Sequence, residues 1–368
     1  MSNCSGRSPG LDITMLVYVC ISSHGYGHAA RTAAVLCELA RLHPECRLVL
    51  STAVKPEFLT LAMGDTPFEL RPCRWDVGML QADALAVDSL GTLAALEALE
   101  RALPQQLDQE ARWLEAQSTR PLILADVPPD AARLAQRLCC PLIWLASFGW
   151  EGIYGPLGEA FAPWAERALA HYRQGDLLLR CPLSLPMAWD LPTVELGITS
   201  STPRHDPQAV ARRLELPAER ERCVLISFGG LGMEIEPRWL ALWPEHVFVG
   251  VEPRLLEAPN GRLLPPDLRP LDVMPLAARM LTKPGYSTFC EAIQQGVGLH
   301  VVRRQGFAEA PVLERALKAE AWHLLLEEED FRRGAWQLDQ PLQPARAPRL
   351  RRDGSAQAAE ILSRLLKR

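Results

Sequence analysis

The chain has 368 residues, 48% of them hydrophobic and 23% charged, with a net charge of -5. That length accommodates two domains of ordinary size, and the composition supports packed cores. The mild negative charge gives no general attraction to nucleic acid or to an anionic membrane surface, and no apolar run reaches the roughly 18 to 20 residues of a membrane span.

The first fourteen residues, "MSNCSGRSPGLDIT", are polar and lack a signal-peptide core, so a cytoplasmic location is expected. The ten cysteines are scattered without a C-x-x-C pair, which argues against zinc-ribbon and thioredoxin chemistry and for reduced, mostly buried thiols.

From Met15 onward, short apolar runs alternate with helical periodicity. Strands are expected at 15–22, 47–52, 121–126, 141–147 and 176–180. Helices are expected at 28–43, 90–117, 130–139 and 157–174, with Pro104 kinking or splitting the second and Asp130 capping the third. Residues 181–206 carry four prolines and no helical period, and read as an interdomain linker. The alternation then resumes, with strands at 223–230, 246–251, 279–283 and 299–303 and helices at 286–296 and 310–320. A final amphipathic helix, 353–368, has a serine as its candidate N-cap and is expected to pack back on the first domain. Two blocks of strand–helix–strand units, 15–195 and 205–350, imply two doubly wound α/β domains of Rossmann type facing each other. Their ligands belong at the carboxyl ends of the strands.

The loop after the first strand, "SSHGYGHAAR", holds G-x-G-x-x-A at Gly25, Gly27 and Ala30. A dinucleotide site also needs an acid near the end of the second strand, and "LVLSTAV" has none. The glycines still bring backbone amides close to an anion or polyol. His24 and His28 are too isolated in sequence for a metal site. Either could cap a helix or serve as a general base at a cleft. Arg31 follows one turn later. Asp76, Gln81 and Asp83 form a polar cluster that could take hydroxyls or orient a histidine, or could be a solvated loop. Asp126 ends a strand and points a carboxylate at the cleft.

In the second block, Gly229 and Gly230 form a glycine turn after a strand. In "TKPGYSTFCEA", Lys283 and the helix-start amides from Gly285 through Ser287 and Thr288 face one anion. Glu291, one turn on, can take both hydroxyls of a ribose. Arg304, beside Arg303, and Glu309 follow the next strand, and two arginines there favour an anionic or polyhydroxylated ligand.

"PLDVMPLAARMLTKPGYSTFCEAIQQGVGLHVVRRQGFAEAPVLERAL" resembles the donor-binding domain of GT-B glycosyltransferases. With "SSHGYGHAAR", "WDVGMLQADALAVD", "ADVPPDAA" and "SFGWEGIYG" in the same order, the chain is most similar to the glycosyltransferase-like region of plant L-arabinokinases and their stand-alone bacterial relatives. It is more distantly similar to the N-acetylglucosaminyltransferase that makes lipid II. The resemblance implies a nucleotide-diphosphate sugar, UDP by default, as substrate with no separate cofactor and no metal. It places the ribose on Glu291, the diphosphate on Gly285, Ser287 and Thr288 with Gly229 and Gly230 approaching, and the donor sugar near Glu309. His28, with His24 as second candidate, becomes the catalytic histidine on the acceptor side, and the transfer is expected to be inverting. A catalytically silent nucleotide-sugar binding module and a nucleotide-sugar 2-epimerase are the alternatives. The acceptor, and any peripheral contact with a membrane, stay open.

Overall fold

The computed structural model describes residues 15–80, 88–229, 233–303 and 309–367. Two parallel sheets organise the chain. The first comprises β1 (Leu16–Ile21), β2 (Arg47–Thr52), β3 (Glu69–Pro72), β4 (Leu122–Asp126), β5 (Leu142–Ala146), β6 (Leu177–Arg180) and β7 (Thr193–Glu195), in the spatial order 3-2-1-4-5-6-7. The second comprises β8 (Cys223–Ile226), β9 (Val247–Gly250), β10 (Gly261–Leu263), β11 (Arg279–Thr282), β12 (Gly298–Val302) and β13 (His323–Leu326), in the order 10-9-8-11-12-13. Each sheet reverses its winding once, between β1 and β4 in the first and between β8 and β11 in the second. These are the topological switch points where such sheets leave a crevice.

The strands are apolar on both faces because helices cover both. Along β1, Leu16, Tyr18 and Cys20 enter one core while Val17, Val19 and Ile21 enter another. This is the period-two alternation of a sheet buried on both sides. The second of these cores does not stop at the domain edge. It runs from Val19 and Leu36 through Ala358 and Leu362 to Leu225 and Phe289, so the two halves share one apolar joint.

The C-terminal helix, Gly354–Leu366, packs against the first helix, Tyr26–Leu42. Its entry is fixed by Ile198 N–H donating to Arg351 O (2.7 Å) and Gly354 N–H donating to Ile198 O (3.1 Å). A side chain at Gly354 would collide with the Gly197 carbonyl. His43 Nε2 and Ser363 Oγ meet at 2.7 Å farther along.

Several local expectations change. The helix Ser89–Glu115 runs unbroken through Pro104. Its stripe of Leu96, Leu103, Leu107, Ala111 and Leu114 is buried, and that packing outweighs the roughly 3 kcal/mol cost of an interior proline. Asp130 occupies the N-cap position of Ala131–Leu138 but makes no cap hydrogen bond. Ser355 lies inside the last helix rather than capping it, and donates to Ser200 O. The region 157–174 is two short 3-10 turns followed by a helix only at Ala162–Tyr172. The proline-rich region 181–206 contributes the edge strand β7 before it crosses over. Strands β3, β7, β10 and β13 have three or four residues each, too few to show a period, and β3 and β7 lack a fully buried position. Of the nine described cysteines seven are buried, Cys37 is half-buried and Cys139 is exposed.

Candidate functional site

The first switch point carries a buried charge cluster. Asp126 is the last residue of β4, in register with Ile21 of β1. Its carboxylate is fully buried. Oδ2 accepts from Arg31 Nε and from Thr32 Oγ1, both at 2.7 Å. Oδ1 accepts from Arg31 Nη2 and lies 2.8 Å from His28 Nδ1. Helical spacing makes this possible: His28, Arg31 and Thr32 are at i, i+3 and i+4 on the first helix and so share one face. Arg31 Nη1 also donates to Ser147 Oγ (2.6 Å), just past the end of β5. Burial alone would raise the Asp126 carboxyl, but Arg31, by charge and hydrogen bonding, and His28 hold it at about 2.

This cluster decides the histidine tautomer. An ionised carboxylate only accepts, so Nδ1 of His28 carries the hydrogen and donates it to Asp126. The approach of Arg31 Nη2 to the same nitrogen, at 3.1 Å, is then a packing contact. The hydrogen bonds of His28 among the described residues all fall on Nδ1, and Nε2 is the basic nitrogen. The next residue after Asp126, Val127, has φ 80°, which a β-branched residue adopts only under constraint. Its carbonyl accepts from Tyr172 Oη (2.7 Å), which ties the strand end to the Ala162–Tyr172 helix.

His24 lies apart from the Asp126 cluster. Its ring meets Trp150 edge-on at 5.4 Å, and a Cβ on Gly78 would overlap it. Gly78, with φ 74°, is a residue that the sequence reading missed; its only signal is its place in "WDVGM". Asp76 is not in a solvated loop. It is buried, its Oδ2 accepts from Trp150 Nε1 (2.9 Å), and burial pushes its carboxyl up. Gly25, with φ 85°, turns the chain into the helix, and a side chain there would meet nothing.

The second switch point faces the first. Ser287 Oγ, at the start of the helix Tyr286–Gln295, donates to Gly27 O (2.8 Å). A Cβ on Gly27 would press on that hydroxyl at 2.9 Å, so the glycine is a condition of the approach. The Arg31 guanidinium lies 5.0 Å over the Tyr286 ring, and Tyr286 Oη meets Thr199 Oγ1 at 3.0 Å. Two helix N-termini, each with free amides and a positive dipole end, therefore border one crevice. Lys283, Gly285 and Thr288 are half-buried along it. Gly229, with φ 74°, leaves open space after β8.

Glu291 is half-buried in the same helix rather than exposed. Burial pushes its carboxyl up to about 7 against the pull of Arg269, with Asp272 adding to the rise. Glu309 stands half-buried at the start of Ala310–Glu320. Arg303 is committed to Glu327 (2.6 Å). Gln81, Asp83, Gly230 and Arg304 lie outside the described residues. Among the described residues no three His, Cys, Asp or Glu side chains converge as a metal site needs, and no helix is long and apolar enough to cross a membrane.

Solved structures share this two-sheet arrangement. A UDP-glucosyltransferase from Polygonum tinctorium superposes with a TM-score of 0.64 at 16% identity, covering 96% of this chain and 99% of that one. The fold is GT-B. The kitacinnamycin glycotransferase gives a TM-score of 0.61 at 20% identity, again over 96% and 99% of the two GT-B chains. A UDP-glucose:anthocyanidin 3-O-glucosyltransferase in complex with UDP gives 0.56 at 13% identity, over 96% and 94%. In sequence, the chain is 26% identical over 325 residues to the L-arabinokinase of Arabidopsis thaliana, covering 86% of this GT-B chain but only 31% of that protein. No protein-family pattern matches the chain.

Proposed function

We propose that this GT-B protein transfers a sugar from a nucleotide-diphosphate sugar to an acceptor hydroxyl. The observation that carries the reading is the His28–Asp126 pair at the first switch point, directly across from a helix N-terminus at the second. His28 Nε2 accepts the proton of the acceptor hydroxyl as its oxygen bonds to the anomeric carbon. The bond from that carbon to the diphosphate oxygen breaks, and its electron pair leaves with the diphosphate. Asp126 holds the ring orientation and stabilises the imidazolium that forms. A single displacement of this kind inverts the anomeric centre.

Charge developing on the leaving diphosphate meets the amides of Gly285, Ser287 and Thr288, with Lys283 as the cation; Gly229 and Gly230 approach from the joint. In this reading no metal is required. Glu291 takes the ribose hydroxyls and Glu309 the donor sugar. UDP is the favoured carrier, because two of these structurally similar proteins are named for UDP or UDP-glucose. The kinase reaction in the name of the sequence relative is not part of the proposal, since this chain spans 31% of that protein.

The test is a mass-spectrometric screen of nucleotide sugars for binding, transfer and hydrolysis, with His28→Ala and Glu291→Ala beside the wild type. Loss of turnover with donor binding kept is expected for His28→Ala. A wild type that binds donors but turns none over would make the chain a binding module. Donor interconversion without acceptor would make it an epimerase.

A further inference from the structure

Behind the histidine loop the first domain encloses a cavity of about 40 Å³. Its position is set by aromatic side chains. Phe148 packs edge-on against His28 (5.6 Å) and against Trp150 (5.1 Å), and Trp150 lines the cavity together with Trp75 and Trp164. Four side-chain atoms of residues that line the same space are buried without a close hydrogen bond: Asp76 Oδ1, Asp130 Oδ1, His171 Nδ1 and Arg167 Nη1, the last held in an ion pair with Glu100. Asp76 is only 4% exposed. Asp130 Oδ1 and His171 Nδ1 stand 3.4 Å apart, yet their angle makes no hydrogen bond. Arg133 stays 3.6 Å from the same Asp130 oxygen, and Arg167 is drawn to Glu100 at 2.7 Å. Asp130 is thus held by long ion pairs and Asp76 leaves one oxygen without a close partner, whereas most buried polar groups make short hydrogen bonds.

Resting on the glycosyl-transfer reading, we propose that this cavity belongs to the acceptor site and receives a hydroxyl-bearing arm of a saccharide-type acceptor. One water needs roughly 10–15 Å³ of such space, so the cavity has room for a hydroxyl-bearing arm. Such a group can donate to Asp76 Oδ1 or Asp130 Oδ1 and meet His171 Nδ1. An apolar group would leave all three atoms stranded. Burial raises the Asp130 carboxyl to about 7 and lowers His171, which favours the uncharged form of each side chain. A monohydroxy phenol such as p-nitrophenol cannot both present its one hydroxyl to His28 and fill this cavity, whereas a saccharide carries several hydroxyls on one ring.

The experiment uses the full chain loaded with UDP and saturation-transfer NMR with free pentoses, hexoses and myo-inositol, against p-nitrophenol and quercetin as planar phenols. At least one saccharide is expected to bind, and Asp130→Leu and His171→Leu are each expected to weaken it tenfold or more. Thermal stabilisation by UDP-sugar, measured on the same variants, should stay at the wild-type level and shows that they are folded. Phenols that bind while saccharides do not, or saccharide binding untouched by both variants, overturns the inference. Failure of UDP-sugars to stabilise even the wild type, with saccharide binding intact, overturns the transferase reading instead.

Discussion

The two switch points have the same topology and opposite chemistry. At the first, between β1 and β4, every charge is already answered: Asp126 is surrounded by Arg31, Thr32 and His28, and all four side chains are buried. At the second, between β8 and β11, the crevice wall is a helix start with half-buried Ser287, Thr288 and Glu291, and burial, with Asp272 adding to it, raises the Glu291 carboxyl. A wall that performs proton transfer has to be organised before the substrate comes. A wall that binds a charged ligand can leave its donors open, because the ligand brings the missing partner.

The largest expected effect breaks the pre-organised wall. Asp126→Ala leaves Arg31 as an uncompensated buried charge and should cost about 3–5 kcal/mol of stability, read by urea unfolding. The pH dependence follows from the same group. Its folded pKa, about 2, lies below the ordinary aspartate value of 3.8, so the stability it contributes is present above pH 4 and is lost as pH falls toward 2. Unfolding followed from pH 6 to pH 2 should show a shallower loss in Asp126→Asn than in the wild type, the rest of the slope coming from other carboxylates held low, such as Asp272.

His28→Ala comes next. Removing a general base should lower turnover by about 10²–10⁴-fold while donor affinity stays near wild type, and the lost hydrogen bond to Asp126 should cost about 1.5–3 kcal/mol of stability. Equal turnover in the variant would move the chemistry away from the first wall.

Glu291→Gln sharpens the contrast from the other side. The folded pKa is raised to about 7, so the wild type loses stability as pH rises from about 4.5 through 7, the reverse of Asp126. The melting temperature of the variant should fall less across that window, the rest of the fall coming from Asp130, whose carboxyl is also raised to about 7. It should also bind UDP-sugar about tenfold more weakly, seen by calorimetry, in keeping with one charge-assisted contact pair lost.

The smallest effect is at the meeting of the walls. Ser287→Ala removes one hydrogen bond to Gly27 O and should cost about 0.5–1.5 kcal/mol in thermal unfolding. A larger loss would mean that this contact, rather than the shared apolar core, holds the halves together.

Much of the fold was legible because buried parallel strands declare themselves. "MLVYVCIS" and "PLILAD" are apolar on both faces, and the helices between them carry a 3.6-residue stripe. What escaped was short or compensated. Strand β3 has four residues and no fully buried position, and Pro104 is carried by tertiary packing that local sequence does not display. In the site, His28 and Asp126 were each readable as residues at strand ends, but nothing local paired them across 98 positions. Gly78 and the cavity residues Asp130 and His171 gave no readable signal of a site, because their roles arise only where the 70s loop and the Ala131–Leu138 and Ala162–Tyr172 helices converge.

The sequence by itself determined the alternation of elements, the two-block plan and the residue types at each strand end, because those follow from local periodicity and from the backbone freedom of glycine. Only the tertiary structure decided which charges meet. It made Arg31 a buried partner of Asp126, assigned the hydrogen of His28 to Nδ1, and brought Gly27 to Ser287 across 260 residues. Charge energies depend on burial and on distances of a few ångströms, and both are set by how the two sheets close on one another.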